Sequence, residues 1–229
     1  MAIVFAALPP PVPSAFSGGA EAIAVLVLLS EFAMLRAPLL RSQIRLYAFQ
    51  SLAVSGLAVF VAATQHVGEL YALAGLSFVL KVLVVPGIVL RLLRGTQVGL
   101  ATSHRLGVAT MVLIAIIVAA FGFFVVGSLP VRSHSLPAST LGIAAAVVLV
   151  AFLLVILRAD VLSQAVGFFS LENGVSVASL VLAAGLPFIV ELAFLFDLLV
   201  AVVVFGLLMR VHHGRAQTLS TDVLDRLRG

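Results

Sequence analysis

The chain has 229 residues, 63% of them hydrophobic and 10% charged, with a mean hydropathy of +1.30, so it has too little polar surface to cover a water-soluble globule and needs lipid as its solvent. A helix crossing a hydrocarbon core of about 30 Å uses roughly 20 apolar residues, which leaves room for about six to eight spans and excludes a separate soluble domain. The net charge of +4 does not make a nucleic-acid surface, because Lys and Arg stand singly between apolar runs, and the lack of cysteine excludes disulfides, thiolate zinc and iron–sulfur ligation within this chain.

Residues 1–19 are apolar and rich in Pro, Gly and Ser, with no Lys or Arg. They lack the positive n-region of a signal peptide and read as a short retained leader. Apolar runs between charged interruptions then predict an all-α, polytopic bundle of seven transmembrane helices near 20–40, 45–64, 70–90, 106–129, 138–157, 161–185 and 188–209. Glu31, Arg36 and Pro38 interrupt the first span, where Arg36 can snorkel to an interface along its aliphatic stem. Pro86, inside the third, removes the donor that the Val82 carbonyl needs, which predicts a kink just below Lys81 and a hydrated cavity beside it. The connection 91–105 is polar, whereas Ala184-Gly185-Leu186-Pro187 is a tight corner that makes the last two spans an antiparallel hairpin. The tail from His212 is polar, and Ser220, Thr221 and Asp222 offer an N-cap for a helical turn or two, as in a cytoplasmic docking strap. The resulting units are the leader 1–19, a three-helix unit 20–93, a linking helix with its loops 94–137, a second three-helix unit 138–210 and the tail 211–229.

Basic residues alternate along this order. Arg36, Arg41 and Arg45 follow the first span, Arg91, Arg94 and Arg105 the third, Arg158 the fifth, and Arg210, Arg215, Arg226 and Arg228 the seventh; only Arg132 falls in an odd-numbered segment. The positive-inside rule places the N-terminus outside and the tail in the cytoplasm of a multi-pass cell (inner) membrane protein.

Lys81, Glu172 and Asp197 lie inside spans, where each costs about 2.5–3.5 kcal/mol on insertion scales and so should face protein or water. Two readings stand side by side. In one, desolvation brings carboxylate and lysine pKa values toward each other, so that Glu172 and Lys81 are the ends of a proton relay. In the other they form a buried ion pair or polar glue between helices. Asn173 and Gly174 weaken the helix beside Glu172 and leave room for a water, which favours the relay. Glu191 lies within about a turn of the outer end and Glu31 lies close to Arg36, so both are weaker candidates. Gln50 can bond across helices or hold a water. Glu21 and Glu69 fall at helix ends, where water and the helix N-terminus suit a carboxylate. No phosphate loop or catalytic triad is present, and the adjacent pair His212-His213 does not share a helix face as metal ligands would.

An internal echo accompanies these charges. Arg36-Ala37-Pro38-Leu39-Leu40, Gln50-Ser51-Leu52 and Glu69-Leu70-Tyr71 correspond to Arg158-Ala159-Asp160-Val161-Leu162, Glu172-Asn173-Gly174 and Glu191-Leu192-Ala193, always 122 positions apart. The spacing suggests parallel three-helix repeats. The echo fails at Lys81 and Asp197, which meet Val203 and Gly75.

The stretch Leu171-Glu172-Asn173-Gly174, with Val190-Glu191-Leu192, Asp197, Phe49-Gln50-Ser51-Leu52 and Lys81-Val82-Leu83-Val84-Val85-Pro86, resembles component E of hydrogenase-4 type complexes. The last ninety residues, through Arg158 to Asn173 and the tail from Thr218 to Gly229, also resemble the three-helix K subunit of respiratory complex I and the C subunit of multi-subunit cation/proton antiporters. In those relatives two glutamates carry the proton path. Aligned on Gly167 and Asn173, Glu172 falls about three residues beyond the first of them, on nearly the same helix face, and Asp197 matches the second. The resemblance implies an integral membrane subunit of a hydrogenase-like or complex I-like redox-driven ion-translocating assembly, moving H⁺ or Na⁺. It implies antiporter-like large subunits and small membrane-arm subunits as neighbours, a soluble redox module beyond them, no cofactor in this chain, and nickel–iron or iron–sulfur centres in partners. A stand-alone secondary transporter and a purely structural linker are the competing readings.

Overall fold

The computed structural model describes residues 14–66, 68–93, 106–129 and 136–182, and these are helical apart from short junctions. Helix α1 covers Ser14–Arg36, α2 Leu40–Gln65 and α3 Gly68–Ser77; a π-helical segment, Phe78–Val84, joins α3 to α4, Val85–Leu93. Then come α5 Val108–Gly127, α6 Ala138–Leu157 and α7 Val161–Leu182. With α3, the π segment and α4 counted as one rod, six helices among the described residues are long and apolar enough to cross a membrane. The expected seventh span, 188–209, lies outside the described residues, as do the tail, Arg94, Arg105 and Arg132.

Boundaries shift where local chemistry dictates. The first span ends at Arg36, not residue 40, and α2 starts at Leu40, five residues before the expected 45. Pro38 has no amide hydrogen and disfavours helix in the residue before it, so the chain turns there and Leu39 takes extended dihedrals of −103° and 127°. Likewise α1 already begins at Ser14, inside the segment read as a leader. At the other end of α2, His66 caps the helix in the left-handed region with φ of 55°.

The hairpin α1–α2 packs on the hairpin α6–α7, α1 against α6 and α2 against α7. The α3–α4 rod lies outside α2, and α5 lies outside α6. Close backbone approach holds the α5–α6–α7 side together. A Cβ added to Gly122 would stand 2.8 Å from Leu149, one on Gly142 2.8 Å from the Phe123 carbonyl oxygen, and one on Gly167 2.9 Å from Val155. Gly174 belongs to the same set, since a Cβ there would meet Val148 at 2.8 Å and Val147 at 3.0 Å. The expected weak, hydrated turn at Asn173-Gly174 is therefore corrected: α7 runs unbroken through it, and the missing side chain admits α6, not water.

The outer surface is apolar. On α5, Leu113, Ile117, Phe121 and Phe124 recur at helical spacing and are 58 to 70% exposed, the pattern of a face turned to lipid or to a neighbouring membrane subunit.

Candidate functional site

Polar side chains gather between α1, α2, the π segment and α7. On α7, Ser170, Asn173 and Ser176 follow at intervals of three, which puts them on one side of the helix. Lys81 belongs to the π segment, where the Val85 amide reaches back five residues to the Leu80 carbonyl. Thus the disturbance expected from Pro86 as a kink below Lys81 takes the form of a widened turn around it. Such turns are frequent at functional sites.

Lys81 points at α7. Its Nζ lies 2.8 Å from Glu172 Oε1, and both residues are buried. The ammonium also faces Asn173 Oδ1 and Ser176 Oγ, each at 3.4 Å. Lys81 and Glu172, read from the sequence as a pair sharing one interior, are in direct contact.

A cavity of about 20 Å³ adjoins the pair. Ser55, Ser77 and Ser176 line it together with Lys81 and Glu172, amid Leu73 and Leu180. That volume and those partners suit one water molecule. The cavity lies on the side of the ion pair toward His66, because its α2 residues come from the second half of that helix and its α3 residues precede Lys81 along the rod that starts beyond His66.

On the opposite side, toward the α1–α2 junction, direct hydrogen bonds replace the cavity. Asn173 Nδ2 donates to Gln50 Oε1 at 3.0 Å and to Ser51 Oγ at 2.9 Å. Gln50 Nε2 donates to Glu31 Oε2 at 2.8 Å and to the Val27 carbonyl at 3.2 Å. Ser170 touches both Gln50 Oε1, at 2.8 Å, and Glu31 Oε2. Gln50 is thus the hub of a buried network, and Glu31, ranked low in sequence by its closeness to Arg36, is fully buried in it. Arg36 points away and is exposed. Of the candidate residues, Lys81, Glu172, Gln50 and Glu31 come together, whereas Glu191 and Asp197 lie outside the described residues.

Of the two carboxylates read as helix-end residues, only Glu69 is one; α1 begins at Ser14, about two turns before Glu21. Glu69 is exposed in the first turn of α3. Glu21 accepts a hydrogen bond from Ser139 in the first turn of α6, so the starts of α1 and α6 lie at the same end of the bundle.

Arg158 corrects a sequence reading. Counted there as a topology charge, it is fully buried, and its Nη2 donates to the carbonyls of Met34 at 3.2 Å, Leu35 at 2.9 Å and Ala37 at 3.0 Å. They lie at and just beyond the end of α1, where carbonyls run short of i+4 donors, and a cation suits that end of a helix. Gln43 adds a bond to Ala37. Beside Arg158, Asp160 caps α7 by accepting the Ser163 amide at 2.7 Å. Burial pushes the Asp160 carboxyl up, against the Ser163 bonds and the Arg158 charge, and burial draws the Arg158 guanidinium down. No sequence signal separates this arginine from a surface one, except that its echo, Arg36, precedes a helix break of the same kind.

No three His, Cys, Asp or Glu side chains come together as a metal site among the described residues. No family model matches the chain, and no solved structure matches it. It is 27% identical over 209 residues to hydrogenase-4 component E of Escherichia coli K12, a match spanning 90% of this chain and 96% of that one. The Shigella flexneri protein of the same name matches equally. An uncharacterised protein of Mycobacterium tuberculosis is 43% identical over 84 residues, 36% of each chain. The resemblance seen in Leu171–Gly174, Gln50 and Lys81–Pro86 therefore extends along the chain, a multi-pass membrane protein similar over nine-tenths of its length to hydrogenase-4 component E.

Proposed function

We propose that this chain is a non-catalytic membrane subunit of a hydrogenase-like, redox-driven ion-translocating complex, and that the Lys81–Glu172 pair is the ionisable centre of its proton path. The observation that carries this reading is the buried contact of 2.8 Å between the two groups beside a cavity the size of a water. The similarity to hydrogenase-4 component E supplies the setting. In that setting antiporter-like and small membrane-arm subunits are its neighbours, and nickel–iron or iron–sulfur chemistry belongs to a soluble module beyond them. Serine-lined space toward His66 and side-chain hydrogen bonds toward Arg36 suit uptake of a proton on one side of the pair and its passage on the other. Asp197 and Glu191, with the K-subunit-like reading of 138–210, extend this proposal into the seventh span.

Glu172→Gln keeps the size and much of the hydrogen bonding of the carboxyl but cannot carry a proton. Proton translocation in proteoliposomes, normalised to assembled complex, is expected to fall at least tenfold while the complex persists; pumping at the parental rate would sink the relay. Isolation in mild detergent separates this reading from a stand-alone transporter, for which the chain would elute without antiporter-like subunits. The orientation proposed from the basic residues places the tail in the cytoplasm. In intact cells an impermeant thiol reagent should label Ser14→Cys and spare Ser220→Cys, and the reverse pattern inverts the topology.

A further inference from the structure

The network around Gln50 is closed tightly enough for its hydrogens to be counted. The Lys81 ammonium has donors and no lone pair, so its contact with Asn173 turns the Asn173 oxygen toward it and the Asn173 nitrogen toward Gln50 Oε1 and Ser51. Gln50 is oriented twice over. Its nitrogen faces the Val27 carbonyl and Glu31, and its oxygen receives the Asn173 amide. Turning the Gln50 amide round would set oxygen against the Val27 oxygen and N–H against N–H.

Ser170 then has one hydrogen and two oxygen neighbours, Gln50 Oε1 and Glu31 Oε2. Gln50 Oε1 carries no hydrogen. If Ser170 donated to Glu31, its contact of 2.8 Å with Gln50 Oε1 would be lone pair against lone pair. The contacts close only when Ser170 donates to Gln50 and Glu31 donates to Ser170.

The surroundings agree. Glu31 is fully buried, and among the described residues no basic group lies within ion-pair distance of it. On its own helix Arg36 is exposed; on α2, Arg41 and Arg45 are exposed; α5 and α6 contain no ionisable side chain; and on α7 Glu172 is engaged with Lys81. A carboxylate there would have only neutral donors for its charge, in the least favourable solvent for it.

We infer that Glu31 is held as a neutral carboxylic acid, a proton-storing site in a hydrogen-bond network whose donations converge on Gln50 Oε1, from the Lys81 ammonium through Asn173 on one side and from Glu31 through Ser170 on the other. Lys81 fixes the orientation of the Asn173 amide, and through it that of Gln50, without touching Glu31. The assignment stands whether or not the Lys81–Glu172 pair moves protons, since it follows from the contacts alone.

Infrared spectroscopy of the full chain in lipid at neutral pH tests it. A protonated-carboxyl C=O band is expected that Glu31→Gln removes and Glu172→Gln leaves in place, with the fold retained because an amide can still donate to Ser170. Ser170→Ala should move the same band to higher frequency by deleting its acceptor. A carboxylic-acid region unchanged by Glu31→Gln, or lacking any band in the parent, overturns the inference. Should Glu31→Gln not fold, Ser170→Ala decides alone, and a band that it does not move counts against Glu31 as the acid.

Discussion

At the scale of single residues, the energetics of Lys81 and Glu172 turn on their contact. Two ions taken out of water lose several kcal/mol each, and their attraction restores this only at close range with other partners in place. Here those partners are Asn173 and Ser176 on the lysine side. Removing one ion takes away the other's opposite charge, so Lys81→Met is expected to cost about 3–5 kcal/mol, whereas Lys81→Met combined with Glu172→Leu should recover most of it. Denaturant unfolding in detergent measures both, and a single variant no worse than the double would show that the charges are not coupled. Both residues were legible as costly charges in apolar runs. Their pairing was not, because the partner of a buried ion is chosen by helices that meet far apart in sequence.

Among the helices, glycine carries two meanings that composition does not separate. Gly174 and Gly167 sit where α6 comes closest to α7, while Gly56 and Gly75 face open space with nothing within 4 Å of an added Cβ. Gly174→Ala should therefore cost about 1–3 kcal/mol by overpacking against Val147 and Val148. Gly56→Ala and Gly75→Ala should each be stabilising by about 0.5–1 kcal/mol through helix propensity alone. Thermal unfolding of the three variants side by side decides the matter, and equal effects at all three sites would mean that α6 and α7 are not in close contact. The same logic explains Asn173-Gly174, whose low helix propensity suggested a loosened turn. Packing against α6 outweighs propensity there, and Asn173 acts through its side chain.

For the molecule as a whole, Arg158 ties the two hairpins together. It leaves the α6–α7 junction and closes the end of α1 with three carbonyl contacts, so it sets how far α1 slides along α7 and thereby whether Glu31 meets Ser170. Arg158→Ala removes three bonds to buried carbonyls, leaving Met34 with only the Ala37 amide and Ala37 with only Gln43, and hydrogen bonds to a charged group contribute about 1.5–3 kcal/mol each without adding simply. A loss of about 3 kcal/mol or more is expected, seen as a lower unfolding temperature, with Arg158→Lys intermediate because all three contacts come from the single nitrogen Nη2, which an ammonium can replace only on a shorter stem. Wild-type stability in Arg158→Ala would deny the clamp. The breaks after Arg36 and Arg158, which the sequence echo pairs, lie against each other.

Sequence alone determined the solvent, the helical class, six of the spans to within a few residues at most boundaries, and the charges that could not face lipid, because hydrocarbon penalises every unpaired polar group and this penalty is written into composition and spacing. It also carried the similarity to hydrogenase-4 component E in a handful of motifs. Only tertiary structure decided which buried groups meet: that Lys81 reaches Glu172 from a π turn, that Gln50 joins Glu31 to α7, and that Arg158 is a cap and not a topology charge. Those outcomes depend on helix rotation and register, set by the packing of Gly167 and Gly174 against α6 and by carbonyls that become available only when a distant helix ends beside them.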